Sequence, residues 1–434
     1  MVQSRRDHPQ SGSEVGAIRK SPPRFVLTGT FHGLNRGDSA MQLAAAHALR
    51  DLWPEARITV HSPHPDDDRE LYKDMEVVPC ARRRPAAALG ALTRAILWRA
   101  TAGRAPLSPE LQSYRNASAV IDLSGDGLTE TFGWRCPVSH TVPLLLACLL
   151  RVPFCLMAQT IGPFRRWRRW FRWVFSRAAF ISARDDETFR YLSAWSLPCP
   201  VERTADVAFL LEPGSRADAM AYLQSLGNFD PSKPILAITP SNLYNVRAAR
   251  PGTSADLAYE YLGPVASACN ALAGEAGVQV LVVPHVFGPG ESYDDRRAAE
   301  TLAAGLHSRP LMVRESLSAP QLKALIACSE VFVGIRMHSV IAATSQAVPT
   351  LAIAYSPKLS RLMERLEMGQ FALDLARLTV DDLTAMLGQL WGTRLATRAT
   401  LQKVLSSDIF PAARRNFAAF ERYILASASK KTAV

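Results

Sequence analysis

The sequence predicts an α/β protein of two Rossmann-like domains, each built on a parallel sheet, facing a cleft and followed by C-terminal helices. Three observations carry this. Apolar, β-branched runs of strand length alternate with stretches of helical periodicity, as in parallel sheets covered on both faces. The alternation stops near 212–232 and then restarts. And 434 residues exceed what one core organises, which favours two domains of about 200 residues each.

In the first unit, "RFVLTG" (24–29), "RITVHS" (57–62), "SAVIDLSG" (118–125), "PFCLMAQ" (153–159) and "AFISA" (179–183) read as buried strands. Helices are expected at 37–53, 138–150, 165–177 and 186–195. The second unit opens with "DPSKPILAITPS" (230–241), a linker and strand. Strands follow at "VQVLVVPH" (278–285) and "LMVRES" (311–316), with helices at 255–276, 294–306 and 318–329. "VFVGIRMHSVIAATSQAVPTLAIAYSPK" (331–358) then reads as strand, short helix, strand. The expected organisation is a disordered tail over 1–22, domains over 23–215 and 230–395, and a helical segment over 396–434.

Hydrophobic residues at 48% and charged residues at 21% describe a globular chain. A net charge of +11 favours anionic partners: phosphorylated small molecules, acidic glycans, anionic membranes or nucleic acid. No nucleic-acid-binding motif accompanies the charge, so nucleic acid is set aside. Seven dispersed cysteines without a CxxC pair argue against a disulfide framework or a cysteine zinc site and fit a reducing cytoplasm. The N-terminal stretch lacks the apolar core of a signal peptide. The longest apolar run, 142–158, is interrupted by Arg151 and Pro153, leaving halves too short to span a bilayer.

Ligands of open parallel sheets bind beyond the carboxyl ends of the strands, where helix N-termini favour anions. The polar residues that follow the strands are therefore the candidates. "TGTFHGLNRGDSA" (28–40) is longer than an ordinary βα loop, with Gly29, Gly33 and Gly37 available for tight turns and Asp38 as a helix cap. Its spacing is not a dinucleotide fingerprint. "DLSGDGLTE" (122–130) and "QTIGPF" (159–164) offer further ligand-approach loops. "SARDDET" (182–188) places Arg184 to grip a phosphate or carboxylate, with Asp185 or Asp186 capping. In the second unit, Ser241 and Asn242, then His285, then Arg336 and His338, then Tyr355 and Lys358 all follow strands of one sheet. Asp294 or Asp295 is expected to cap a helix. The convergence of Arg336, His338, His285 and Lys358 points to an anion pocket with a proton-transfer imidazole. "HSPHPDDD" (61–68) reads as a solvated loop, and no metal site is assigned.

"RRWRRWFRWVFSR" (165–177) places Trp167, Trp170, Phe171 and Val174 on one helical face and Arg165, Arg168, Arg169 and Arg172 on the other. Two readings stand: an aromatic face packed on the sheet, or a membrane-surface helix whose basic surface Arg83, Arg84, Arg94 and Arg99 extend.

The ordered motifs "LNRGDSA", "SGDG", "AQTIGPF", "SARDDET", "ADVAF", "VPHVFGPGESYDD" and "GIRMHSVIAATSQAVPTLAIAYSPK" resemble the polysaccharide pyruvyl transferase family over about 24–370. Asn35, Gly37 and Asp38 match its N-terminal pattern. Where the family often has three glycines, this chain has Ser124, Gly125, Asp126 and Gly127. The resemblance implies a GT-B-like architecture, with an acceptor-side first domain and a donor-side second domain. It implies transfer of the enolpyruvyl unit of phosphoenolpyruvate, as co-substrate, onto a glycan or lipid-linked oligosaccharide acceptor. The product is a pyruvate ketal, phosphate leaves, and no further cofactor or metal is required. Arg336, Lys358, Arg184 and Tyr355 would bind the donor. Asn35, Gly37 and Asp126 would bind the acceptor. His338 would be the acid, and His285 or Asp38 the base. Such an enzyme is expected in the cytoplasm, peripheral at the inner membrane face. The alternative is a GT-B glycosyltransferase using a nucleotide sugar.

Overall fold

The computed structural model describes residues 22–242 and 259–432. The tail expected over 1–22, but for its last residue, and the start of the helix expected at 255–276 lie outside the described residues.

Two parallel sheets organise the chain. The first holds β1 (Arg24–Thr28), β2 (Arg57–Ser62), β3 (Glu76–Pro79), β4 (Ala119–Asp122), β5 (Phe154–Gln159), β6 (Ile181–Ala183) and β7 (Val201–Arg203), ordered β3-β2-β1-β4-β5-β6-β7. The second holds β8 (Ile235–Thr239), β9 (Gln279–Val282), β10 (Leu311–Met312), β11 (Val331–Gly334), β12 (Thr350–Ala354) and β13 (Ala372–Asp374), ordered β10-β9-β8-β11-β12-β13. Every pairing is parallel, and β4, β5, β8, β11 and β12 are buried along their whole length. That is why they read as unbroken apolar runs.

Strand order reverses between β1 and β4, and again between β8 and β11. Helices leave a sheet in opposite directions at such a point, which opens a crevice at the strand ends. The two crevices meet. Asn35 and Val286 form an isolated antiparallel bridge. The Arg36 amide donates to the His285 carbonyl at 3.1 Å, and the Phe287 amide to the Leu34 carbonyl at 3.0 Å.

The chain then crosses back. The helix Val380–Val404 packs on the helix Leu262–Ala276, and Phe410–Thr432 returns to β5 and β7 of the first sheet. Asn416 locks this return: its amide donates to the Ala205 carbonyl at 2.9 Å and its oxygen accepts from Ser182 at 2.5 Å.

Several expectations need correction. The stretch 61–68 is not a solvated loop. His61 is buried in β2, and Pro65–Leu71 is a helix with Pro at its start and acids in its first turn. The strand expected at 311–316 is only Leu311–Met312. The helix expected at 165–177 is Arg168–Phe175. Its first turn is lost because Glu130 accepts the amides of Arg165 and Arg166, each at 3.1 Å. Trp167, left-handed and exposed, therefore leaves the predicted face. Phe171, Val174 and Phe175 form the buried face instead, with Phe164 stacked on Phe171.

Candidate active site

A cavity of about 220 Å³ opens where the two crevices meet. Asn35, Asp38, Asp126, Arg184, His285, Arg336, His338, Tyr355 and Lys358 all line it. Sequence positions more than 300 residues apart are thus neighbours because both sheets point their carboxyl ends at one another.

β1 delivers the first group. Asn35, not Asp38, caps the helix Arg36–Leu52, accepting from the Gly37 amide at 3.1 Å. The Asp38 carboxylate instead turns back on its own loop and accepts from the Phe31 and His32 amides at 2.8 and 3.1 Å. Burial raises its pKa, against the pull of those amides and of His338. Of the three glycines read as turn formers, only Gly29 has positive φ. Gly33 and Gly37 serve close approach. A Cβ at Gly37 would stand 2.3 Å from His338 Nδ1, and one at Gly33 would stand 2.5 Å from Asp68 Oδ1.

β11 runs into the helix Met337–Thr344, with Arg336 at the joint and His338 in the first turn. The sequence placed Arg336 in an anion pocket, as a residue that would bind the donor. Its fork is taken. Nε and Nη2 bind the two oxygens of Asp295, both at 2.6 Å. Asp295 therefore stands at the N-cap position of the helix Arg296–Ala304 without capping it through its side chain; of the two expected caps it is Asp294 that accepts from the Arg296 amide, at 2.9 Å. Asp295 is fully buried and also accepts from the Asn242 and Val286 amides. Burial drives its carboxyl upward, while Arg336 and these amides work to keep it charged.

Arg184 is similarly committed. Its Nη1 lies 2.7 Å from Asp206 Oδ2, and its Nε donates to Thr160 Oγ1 at 2.9 Å. Both side chains of the Arg184–Asp206 pair are almost fully buried. Burial opposes the charge of Asp206, but Arg184 and His338 outweigh it and hold the carboxyl well below the ordinary range. His338 Nε2 stands 3.6 Å from the same oxygen, an ion-pair distance rather than a hydrogen bond. Asp185 is the cap of the following helix, accepting from the Thr188 amide.

Lys358 differs. Its ammonium meets Asp126 Oδ2 at 3.1 Å, and the Asp126 side chain is 40% exposed. Tyr355 lines the same wall, and burial raises its phenol above the usual range, so it remains a neutral donor. His285 is buried, and neither ring nitrogen has a hydrogen-bond partner within the protein. Burial, then the charges of His338, Arg336 and Arg36, push its pKa well below the ordinary imidazole value, so it is neutral.

Asp206 and Asp295 are the site residues that sequence reasoning passed over. Asp206 sits in "ADVAF", after a loop rather than an apolar strand, and Asp295 looked like a cap. His32, His64 and Asp67 bring potential ligand atoms within 4.8 Å of one another. The Leu34 amide donates to His32 Nδ1 at 2.8 Å, so Nε2, 3.0 Å from Asp67, carries the ring proton and has no lone pair for an ion. That trio does not fit a metal.

Two facing parallel sheets, a crevice between their switch points and a final helix crossing back define the GT-B fold. It is shared with a glycosyltransferase from Rickettsia africae: 11% identity, TM-score 0.54, covering 93% of this chain and 99% of that one. It is shared too with the UDP-GlcNAc 2-epimerase of Neisseria meningitidis, solved with UDP-GlcNAc: 11% identity, TM-score 0.55, covering 92% and 99%. The polysaccharide pyruvyl transferase profile matches residues 35–357, and the chain belongs to that family of transferases. Among curated proteins it is similar to the amylovoran biosynthesis protein AmsJ of Erwinia amylovora, 26% identical over 267 residues, 60% of this chain and 62% of that protein. The match spans about three fifths of that protein's length.

Proposed function

We propose that this protein moves the enolpyruvyl unit of phosphoenolpyruvate onto a sugar of an exopolysaccharide or other cell-surface glycan precursor, closing a pyruvate ketal and releasing phosphate. One observation carries the reading. Three cations, two imidazoles and Asp38 converge on one cavity, and of the three cation–carboxylate pairs only Lys358–Asp126 is substantially exposed. A buried pair resists separation; an exposed one exchanges readily. The donor phosphate therefore takes Lys358 from Asp126, while Arg184 and Arg336, their charges balanced by Asp206 and Asp295, offer the donor carboxylate only the N–H groups those pairs leave over. Asp126, once released, is free to accept from an acceptor hydroxyl.

His338 is the acid. It transfers a proton to the donor methylene carbon, which becomes methyl and leaves an oxocarbenium-like centre at C2. A sugar hydroxyl adds to C2 and gives its proton to a base. Asp38 suits that role better than His285, since burial raises the basicity of its carboxylate and lowers that of the His285 imidazole. The C2–O bond to phosphate then breaks as a second hydroxyl closes the ketal. One hydroxyl proton replaces the one spent on carbon, and the other leaves with phosphate.

The test is incubation of the protein with phosphoenolpyruvate and cell-envelope glycan precursors, following phosphate release and the ketal methyl resonance. Nucleoside diphosphate release from a nucleotide sugar, with no ketal methyl, would replace this reading by glycosyl transfer.

A further inference from the structure

The net positive charge of the chain is concentrated in two stretches of the first domain. Residues 81–109 and 131–183 hold fourteen arginines and no aspartate or glutamate. The rest of the chain has 36 basic residues (50 less these fourteen) against 39 acidic ones.

The same stretches expose apolar side chains. Of nine large hydrophobic residues exposed among the described residues, six lie here: Leu89, Ile96, Leu97, Trp134, Trp167 and Trp173, between 44% and 67% exposed. Single exposed hydrophobics need no explanation, but a cluster marks a contact surface. The helices concerned are contiguous. Pro85–Ala100 buries Ala88, Ala91 and Ala95, with Leu92 and Trp98 partly buried beside them, and packs on Arg135–Leu149. Arg135–Leu149 packs in turn on Arg168–Phe175. Its own stripe of Val138, Val142, Leu145 and Leu149, at spacings of four, three and four, is only half covered.

We propose that this face docks the first domain on the surface of an anionic lipid bilayer. Arginine heads meet lipid phosphates, while their stems and the tryptophan and aliphatic side chains enter the interfacial layer. A nucleic acid or acidic polysaccharide would use the charge but would leave Leu89, Ile96 and Leu97 in water. Among the described residues no helix is long and apolar enough to cross a membrane, so the contact is with the surface. Thr131 lines the catalytic cavity and Trp134, three residues on, belongs to the face. Docking therefore brings the cavity mouth to a lipid-borne acceptor. That last step rests on the pyruvyl-transfer reading; the docking does not.

Flotation of the full chain with vesicles of phosphatidylcholine, alone or mixed with phosphatidylglycerol, tests it without any reaction. The protein should float with the anionic vesicles alone. Arg168→Glu/Arg169→Glu should lower the partition roughly tenfold or more. Trp167→Ala/Trp173→Ala, with an unchanged melting temperature, should weaken it and make the remaining binding fully releasable by salt. No flotation with anionic vesicles overturns the proposal. So does tryptophan-variant binding equal to wild type with heparin abolishing both, which would assign the face to a soluble polyanion.

Discussion

Gly37 and His338 belong to different domains, yet a methyl group on Gly37 would stand 2.3 Å from the imidazole Nδ1. The residue is in a helix with ordinary φ, so its lack of a side chain serves His338 and not the backbone. Gly37→Ala should therefore displace the ring. Steady-state phosphate release is expected to fall by about a hundredfold, because a misplacement near 1 Å costs that much. Thermal unfolding should show a folded protein, since alanine is otherwise favoured in a helix by about 0.5–1 kcal/mol. An unchanged turnover would remove His338 from the reacting position.

Asp206 stands between Arg184 and His338, 2.7 Å from one and 3.6 Å from the other. Replacing it strands a buried guanidinium. Asp206→Ala is expected to lower unfolding free energy by about 3–5 kcal/mol in urea titrations. A loss below about 1 kcal/mol would mean that Arg184 finds water or another partner.

In the proposed reaction Asp126 competes with the donor for Lys358. If the exchange described above operates, Asp126→Asn tightens phosphoenolpyruvate binding while raising the acceptor KM. Lys358→Ala should weaken donor binding instead. Calorimetry with donor alone separates the two. Weaker donor binding in Asp126→Asn would show that the pair holds the cavity open rather than blocking it.

Much of this was legible in the sequence. Strands buried from end to end are largely apolar, so β4, β5, β8, β11 and β12 could be read directly, and β1, β2 and β9 from their β-branched and aliphatic centres. Residues just after such strands are forced to the sheet edge, which is why the sequence alone groups Arg336, His338 and Lys358. Partner choice was not legible. A carboxylate ahead of a helix reads as a cap whether or not a guanidinium arrives from 41 positions away, as Arg336 does at Asp295. Short elements without periodicity also escaped: β3, β7 and the helix Pro65–Leu71, although Pro65 and Asp66–Asp68 carried start signals.

Buried neutral histidines set a pH dependence of stability. Burial pushes His61 down to about 3 and His32 down to about 4, against an unfolded value near 6.5. Between those values the unfolded chain binds more protons, so acid destabilises the fold as pH falls below 6.5. Asp68 and Asp122, raised to about 6, act in the opposite sense, losing stability as pH rises from about 4 to 6. His61→Gln removes one histidine contribution and leaves the others. The drop in unfolding free energy from pH 6.5 to 4 should shrink by about 3 kcal/mol relative to wild type. An identical pH profile would place a proton on His61 in the folded state.

The central claim is that the cavity receives phosphoenolpyruvate through Lys358. Its most direct test is calorimetric titration of wild type and Lys358→Ala with phosphoenolpyruvate, alongside a panel of uridine and guanosine diphosphate sugars. Phosphoenolpyruvate should bind wild type, bind the variant at least tenfold more weakly, and the sugars should give no heat. Binding of a nucleotide sugar, with phosphoenolpyruvate silent, would contradict it.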